Sequence, residues 1–225
     1  MRILFAVLRV GIAVAIVAAI VGQMLTSLAY WESLGGVDVG AHVVHFFAFF
    51  TIESNVLTAV VGLVGAVLLV TRKGDDPVGF TWFRAAVVTY MFTTGVVYNL
   101  LLRGVELPQG STLGWSNEVL HVIAPIYLTL DWFLAPGRTP LEPKRIWAIL
   151  VFPIVWVVFT LVRGPLATDT VFGNDYWYPY PFLNPNNLAN GYLGVTFYVI
   201  LIALVIAATA AGVLWVSRRV PLPKP

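Results

Sequence analysis

The chain alternates between long apolar stretches and short polar ones, and six of the apolar stretches are long enough to cross a bilayer. A membrane-spanning helix needs about 20 mostly apolar residues. Because backbone groups in lipid must find hydrogen-bond partners within the protein, such stretches are expected to be helical. The pattern therefore predicts an all-α polytopic membrane protein, a six-transmembrane-helix bundle that forms one domain over residues 1–225. The predicted spans cover residues 10–28, 46–70, 83–102, 117–134, 146–162 and 192–216.

Composition excludes several classes of protein. Hydrophobic residues make up 59% of the chain and charged residues only 11%, and the mean hydropathy is +0.87, which together exclude a soluble domain of this size. The chain has no cysteine, so a disulfide framework and thiol chemistry are excluded. A net charge of +2 is too small to indicate a nucleic-acid partner. Nothing in the sequence indicates a protein partner or a cofactor.

The distribution of basic residues predicts the orientation of the spans. Of the 13 lysines and arginines, all except Arg103 and Arg163 fall on the same side of the six predicted spans. Cytoplasmic segments carry the excess of lysine and arginine in membrane proteins. We therefore expect both termini to be cytoplasmic, in the cell membrane.

Polar residues follow one face of the predicted second span. Thr51, Asn55 and Thr58 recur at helical spacing and are continued by two glycines. Small and hydroxyl-bearing residues of this kind often form helix-packing surfaces in membranes, which is one interpretation. Glu53 points away from Thr51, and a carboxyl group inside a span needs a partner or a proton. The other interpretation is therefore a functional site.

The predicted fourth span carries a second polar face, formed by Asn117, His121 and Pro125 at four-residue spacing. Pro125 has no N–H for the carbonyl of His121, so the helix is expected to open locally. The histidine either packs within the bundle or takes part in chemistry. We interpret Asp131, roughly 15 Å deeper, as a charge at the inner interface near Arg138 or Lys144. The third span ends on the outer side with Tyr98, Asn99 and Arg103.

The last outer loop is rich in aromatic residues and prolines between residues 176 and 185. One interpretation is an aromatic belt at the membrane interface. The other is a lid over a polar outer pocket, since long loops are often functional. In the second case we expect the pocket or lid to include Tyr98, Arg103, Trp177, Tyr178, Tyr180 and Phe182.

Three motifs occur in a fixed order: FFTIESN at 49–55, NEVLHVIAP at 117–125 and YPYPFLNP at 178–185. Together they resemble the androgen-induced-protein family of intramembrane threonine hydrolases, in particular its prokaryotic six-transmembrane branch. The resemblance implies hydrolysis of fatty-acyl esters such as fatty acid esters of hydroxy fatty acids. It implies that Thr51 is the nucleophile and His121 the base. Where the animal members have an aspartate shortly after the threonine, this chain has Glu53, Ser54 and Asn55.

The chemistry sets requirements on the surroundings of this pair. A threonine hydroxyl becomes a nucleophile when a base accepts its proton, and a neutral histidine fits that task. Thr51 and His121 are predicted at similar depth, so we expect them to face one cavity, within hydrogen-bond reach or bridged by one water or ligand atom. Apolar walls would hold the acyl chain of a lipid that enters from the outer leaflet. Candidate groups for stabilising the oxyanion or orienting the imidazole are Asn55, Asn99, Asn117, Glu53 and Glu118.

Two other functions stay open at this point. His42, His45 and His121 are the only three histidines, and three histidines with one water form a catalytic zinc pattern, so a metal hydrolase or a haem protein is one alternative. The other is a membrane protein that binds or transports a lipid or small molecule without catalysis. Our preferred interpretation needs no metal.

Overall fold

The computed structural model describes residues 1–105 and 108–220, and the chain is helical over most of this length with no β-strand. The prediction of an all-α fold is confirmed. Two helices continue into, or are interrupted by, a short π-helical turn: one at Tyr98–Leu102 and the other at Val119–Ile123. The α-helices are α1 (Arg2–Leu34), α2 (Val39–Phe47), α3 (Phe50–Thr71), α4 (Val78–Val97), α5 (Gly114–Glu118), α6 (Ala124–Leu134), α7 (Ile146–Arg163) and α8 (Tyr192–Arg219).

Five helices are long and apolar enough to cross a membrane, and they match five of the six predicted spans. They are Arg2–Leu34, Phe50–Thr71, Val78–Leu102, Pro143–Leu166 and Tyr192–Arg219. The remaining predicted span, 117–134, lies in the unbroken helical run formed by α5, the second π-helical turn and α6. That run is not among the five.

The predicted second span starts later than expected. Phe46 belongs to the short helix α2, and the chain bends at Ala48 and Phe49 before α3 begins. The bend separates His42 and His45 from the helix that carries Thr51. The periodic pattern did not reveal it, because hydrophobic residues continue across the bend.

Small residues let α1 and α3 approach closely. A Cβ atom placed on Gly62 would lie 3.0 Å from the carbonyl oxygen of Arg9 and 3.6 Å from the Cβ of Ala13. At Gly65 a Cβ would lie 2.7 Å from an Arg9 nitrogen. The lower part of the polar stripe on α3 therefore serves helix packing, whereas Thr51 and Asn55 lie above it.

A buried ion cluster joins three helices, α1, α4 and α6, towards the end of the bundle where α1 begins. Asp131 on α6 accepts hydrogen bonds from Arg9 Nε at 3.0 Å and Arg9 Nη2 at 3.1 Å. Arg84 Nη2 donates to the same carboxylate at 2.6 Å. The expected partners of Asp131 were therefore wrong: Arg138 bonds to the Trp132 carbonyl and Lys144 pairs with a neighbouring glutamate.

Candidate functional site

Thr51 and His121 line the same cavity, about 360 Å³ in volume, near the end of the bundle that lies away from the chain's N-terminus. Residues from α1, α2, α3, the two π-helical turns and the last outer loop form its walls. The structure therefore brings the two residues to a shared space, as their predicted depths required. No hydrogen bond joins their side chains in the part of the chain that the structure describes. Other residues of the wall include Tyr98, Asn117, Leu120, Trp177 and Tyr180.

The backbone around His121 owes its geometry to Pro125. The N–H of Ala124 reaches back five residues to the Val119 carbonyl, which is π-helical spacing. With that spacing the Leu120 carbonyl faces the nitrogen of Pro125, which carries no hydrogen. The Asn55 amide fills the gap by donating to the Leu120 carbonyl at 3.1 Å. Asn55 on α3 thus supplies the hydrogen bond that the Leu120 carbonyl, next to His121, cannot receive from Pro125.

Hydrogen bonding fixes the tautomer of His121. Its Nδ1 lies 3.0 Å from the backbone carbonyl oxygen of Asn117. A carbonyl oxygen only accepts hydrogen bonds, so Nδ1 carries the proton and neutral His121 has a basic Nε2. The Tyr98 ring stacks on the imidazole with centroids 4.0 Å apart. The ring is therefore held on one edge and one face.

Thr51 occupies the first turn of α3 and is only 6% exposed. Its N–H has no partner within the helix, because the first-turn amides precede the helical hydrogen bonds. The hydroxyl of Tyr180 accepts a hydrogen bond from this N–H at 3.2 Å. The same hydroxyl lies 3.2 Å from the side-chain oxygen of Thr51. The last outer loop therefore contacts the candidate nucleophile directly.

The three candidate asparagine donors are all engaged. Asn55 donates to the carbonyls of Thr51, at 2.9 Å, and Leu120. Asn99 donates to the Gly95 carbonyl at 2.7 Å and accepts from an arginine. The amide of Asn117 donates to the hydroxyl of Tyr98.

The two candidate carboxylates lie away from the imidazole ring. Glu118 forms an exposed ion pair with Arg103 at 3.0 Å, and both side chains are almost half exposed. Glu53 forms no hydrogen bond or ion pair with any residue in the described ranges 1–105 and 108–220. The structure therefore offers neither of them as an orienting partner of His121.

A second cavity meets the first at Thr51 and Tyr180. It has a volume of about 330 Å³ and lies between α4, α7 and α8. Its lining is almost entirely apolar, and it extends along α7 from Val157 to Leu150, about 10 Å at the helical rise. Ile154 on its wall is 58% exposed, so this groove is open along the apolar outer surface of the bundle. Tyr98 and Leu102 also belong to both cavities.

The last outer loop packs over both cavities. Trp177 lines the outer cavity and stacks on His45 with ring centroids 4.2 Å apart. Phe182 is 8% exposed and lines the apolar groove. Tyr178 lies against Gly164, where no side chain could fit, and outside both cavities. Arg103 likewise lies outside them, so the predicted pocket includes Tyr98, Trp177, Tyr180 and Phe182 but neither Tyr178 nor Arg103.

The two histidines of α2 hold the loop in place. His42 Nε2 lies 3.1 Å from the Thr170 hydroxyl and 3.8 Å from Asp169. Burial lowers the pKa of His42, and burial together with the positive charge of Arg163 lowers that of His45 to about 4. Across the described residues, no group of three or more His, Cys, Asp or Glu side chains is placed to hold a metal ion.

Sequence reasoning missed Gly95, which lets α4 approach the helix that carries His121. A Cβ atom at this position would lie 2.9 Å from the Pro125 ring. A glycine within an apolar helix is the only signal for it, and several other glycines of the chain have open space around them.

Comparisons of the chain with protein-family models, with curated proteins and with solved structures find no match.

Proposed function

We propose that this protein is an intramembrane hydrolase of lipid esters, in which Thr51 is the nucleophile and His121 the general base. The observation that carries the proposal is the shared outer cavity, lined by a first-turn threonine and a neutral histidine with a basic Nε2. The motifs that resemble the intramembrane threonine hydrolases contribute both residues.

The proposed reaction has two halves. The Thr51 oxygen forms a bond to the ester carbonyl carbon, its proton passes to His121 Nε2, and the carbonyl electron pair moves onto oxygen. Collapse of this intermediate breaks the ester C–O bond, and the departing alkoxide takes the proton from His121. Water then attacks the acyl-threonine carbon as it gives a proton to the same nitrogen, the bond from that carbon to the Thr51 oxygen breaks, and this oxygen takes the proton back from His121 as the carboxylic acid leaves. One ester and one water become one acid and one alcohol.

The apolar groove supports a fatty-acyl substrate. One end of the groove meets Thr51, so an acyl chain lying in it would bring its ester to the hydroxyl. The outer cavity, with its polar wall around His121, would accept the alcohol half. Fatty acid esters of hydroxy fatty acids have this division into an acyl chain and a second chain with a polar group.

We also propose that the helical run Gly114–Leu134 is a sixth span and that both termini are cytoplasmic. Glu118 and Asp131 reduce its apolarity, but the carboxylate of Asp131 is buried against two arginines. The basic residues then flank the inner ends of the spans. Thr51 and His121 lie near the outer face, where lipid from the outer leaflet of a prokaryotic cell membrane would enter through the groove.

Covalent labelling tests the proposal. A fluorophosphonate probe should label the purified protein at Thr51, as mapped by mass spectrometry of the labelled peptide. Thr51→Ala should abolish labelling and ester hydrolysis, Thr51→Ser should retain labelling, and His121→Ala should lose activity. The matched control is Thr58→Ala on the same helix, whose buried hydroxyl donates to the Ser54 carbonyl; it should still label. Wild-type hydrolysis by Thr51→Ala would refute the threonine mechanism.

The apolar groove also supports a second function, lipid binding without catalysis. An acyl chain would find the same apolar walls whether or not Thr51 reacts. A protein that retains lipid through purification, yet neither labels nor hydrolyses esters, would establish this function in place of the first.

A further inference from the structure

Hydrolysis through Thr51 creates a negative charge on the carbonyl oxygen of the substrate, and this charge needs hydrogen-bond donors. The asparagines that the sequence offers are already bound to other groups: Asn55 to two carbonyls, Asn99 to Gly95, and Asn117 to Tyr98. Asn117 has one amide hydrogen left over, but the hydroxyl already in contact with Thr51 is the nearer candidate for the donor.

The hydroxyl of Tyr180 lies beside both the side-chain oxygen and the backbone N–H of Thr51. It is 3.2 Å from the Thr51 side-chain oxygen and 3.2 Å from the Thr51 nitrogen. Resting on the proposed function, we infer that Tyr180 is a catalytic residue whose O–H donates a hydrogen bond to the oxyanion. The N–H of Thr51 is the second donor.

The hydroxyl oxygen of Tyr180 now occupies the place that the substrate oxygen would take on the Thr51 N–H. An entering carbonyl displaces it from that N–H, and the hydroxyl then donates to the carbonyl oxygen. The Tyr180 ring lines both cavities, so there is open space beside it for this small shift. Its stacking on Phe182, with centroids 5.2 Å apart, limits the movement and keeps the hydroxyl beside the reacting carbon.

The role differs from that of a simple plug. A plug competes with substrate, so its removal would speed the reaction. An oxyanion donor acts most strongly on the transition state, so its removal lowers kcat and leaves KM nearly unchanged. The proposed donor also strengthens the binding of any analogue that forms an oxyanion on Thr51.

Tyr180→Phe, which keeps the ring and removes the hydroxyl, tests the proposal. With a fatty-acyl ester, kcat per probe-labelled site should fall roughly 100- to 1,000-fold, the range for loss of one oxyanion donor. KM should stay within about threefold, as expected when only the transition state loses an interaction. The inhibition constant of a long-chain trifluoromethyl ketone should rise by about the same factor as kcat falls, because Thr51 addition to this ketone creates the same oxyanion.

The control is Tyr127→Phe. The hydroxyl of Tyr127 is buried and has no hydrogen-bond partner among the described residues, so its removal should leave kcat and the inhibition constant unchanged. KM and the inhibition constant do not depend on how much of the preparation is folded. A rise in the ratio of the inhibition constant to KM in Tyr180→Phe therefore supports the oxyanion role even if the variant folds poorly.

Unchanged or faster hydrolysis by Tyr180→Phe would overturn the role of Tyr180 and leave the threonine mechanism standing. Failure of the proposed function is a different result: wild-type protein that does not label, or Thr51→Ala that still hydrolyses the ester.

Discussion

The buried ion cluster predicts that one carboxylate controls the stability of the half of the bundle in which α1 begins. Asp131 is 3% exposed and receives three hydrogen bonds from the side chains of Arg9 and Arg84. Asp131→Asn keeps the shape and removes the charge, which leaves two buried guanidinium groups without a counter-charge. Loss of one partner of a buried ion pair costs about 3–5 kcal/mol, and we expect the upper part of that range because two cations are stranded.

Reversible unfolding in detergent micelles, followed by circular dichroism, measures the effect as a change in the free energy of unfolding. Glu142→Gln is the matched control, because the Glu142–Lys144 pair is just as short, at 2.7 Å, but its side chains are 63% and 77% exposed. It should produce no measurable change, since exposed ion pairs contribute little.

Replacing all three members of the cluster with leucine or methionine supplies a second comparison. Exchange of a whole buried cluster for well-packed apolar residues is often neutral or stabilising, so this variant should recover most of the stability lost by Asp131→Asn. If Asp131→Asn shifted the unfolding free energy no more than Glu142→Gln does, the cluster would not hold the helices together as described.

Three further predictions concern the site and its orientation. Gly95→Ala should cost about 1–3 kcal/mol, as overpacking does, and should lower ester hydrolysis, because the new methyl group would push on the Pro125 ring. Stability should fall as the pH drops from about 6.5 towards 4, and His45→Phe should weaken this dependence in thermal melts. Gly74→Cys and Phe172→Cys should label with a membrane-impermeant maleimide from opposite sides of the membrane.

Gly79, also on α4, has open space around it, so Gly79→Ala should not destabilise the fold. The pKa of His45 is lowered to about 4, first by burial and then by Arg163 and His42. The unfolded chain therefore binds a proton more readily between pH 6.5 and 4, and stability is full above that window. Labelling of both cysteines from the same side would refute the six-span topology.

The sequence was sufficient to predict that Thr51 and His121 reach one cavity. Each lies close to the outer end of a long apolar stretch, and helical rise alone gives their depths. The sequence left two interpretations of the polar stripe on α3 open, and the structure shows that its glycines pack against α1 while Thr51 lines the cavity.

The partners of polar groups were harder to predict, because they depend on which helix faces meet. Asp131 is close in sequence to Arg138 but bonds to Arg9 and Arg84, which are far away in the chain. In the same way, the amide of Asn55 is engaged by a carbonyl on another helix. Hydropathy gives depth along a helix and little information about rotation or neighbours.

The irregular backbone at the site bears on the choice between catalysis and simple binding. The turns Tyr98–Leu102 and Val119–Ile123 are both π-helical, and their side chains Tyr98 and His121 stack in the outer cavity. Irregular backbone at membrane depth is tolerated where it is buried in protein or lines a water-filled cavity. An apolar groove suffices to hold a lipid chain, and it needs neither an irregular backbone nor a basic nitrogen. The proposed hydrolysis would also need water and a base near that groove, and His121 lines the outer cavity, which meets the groove at Thr51.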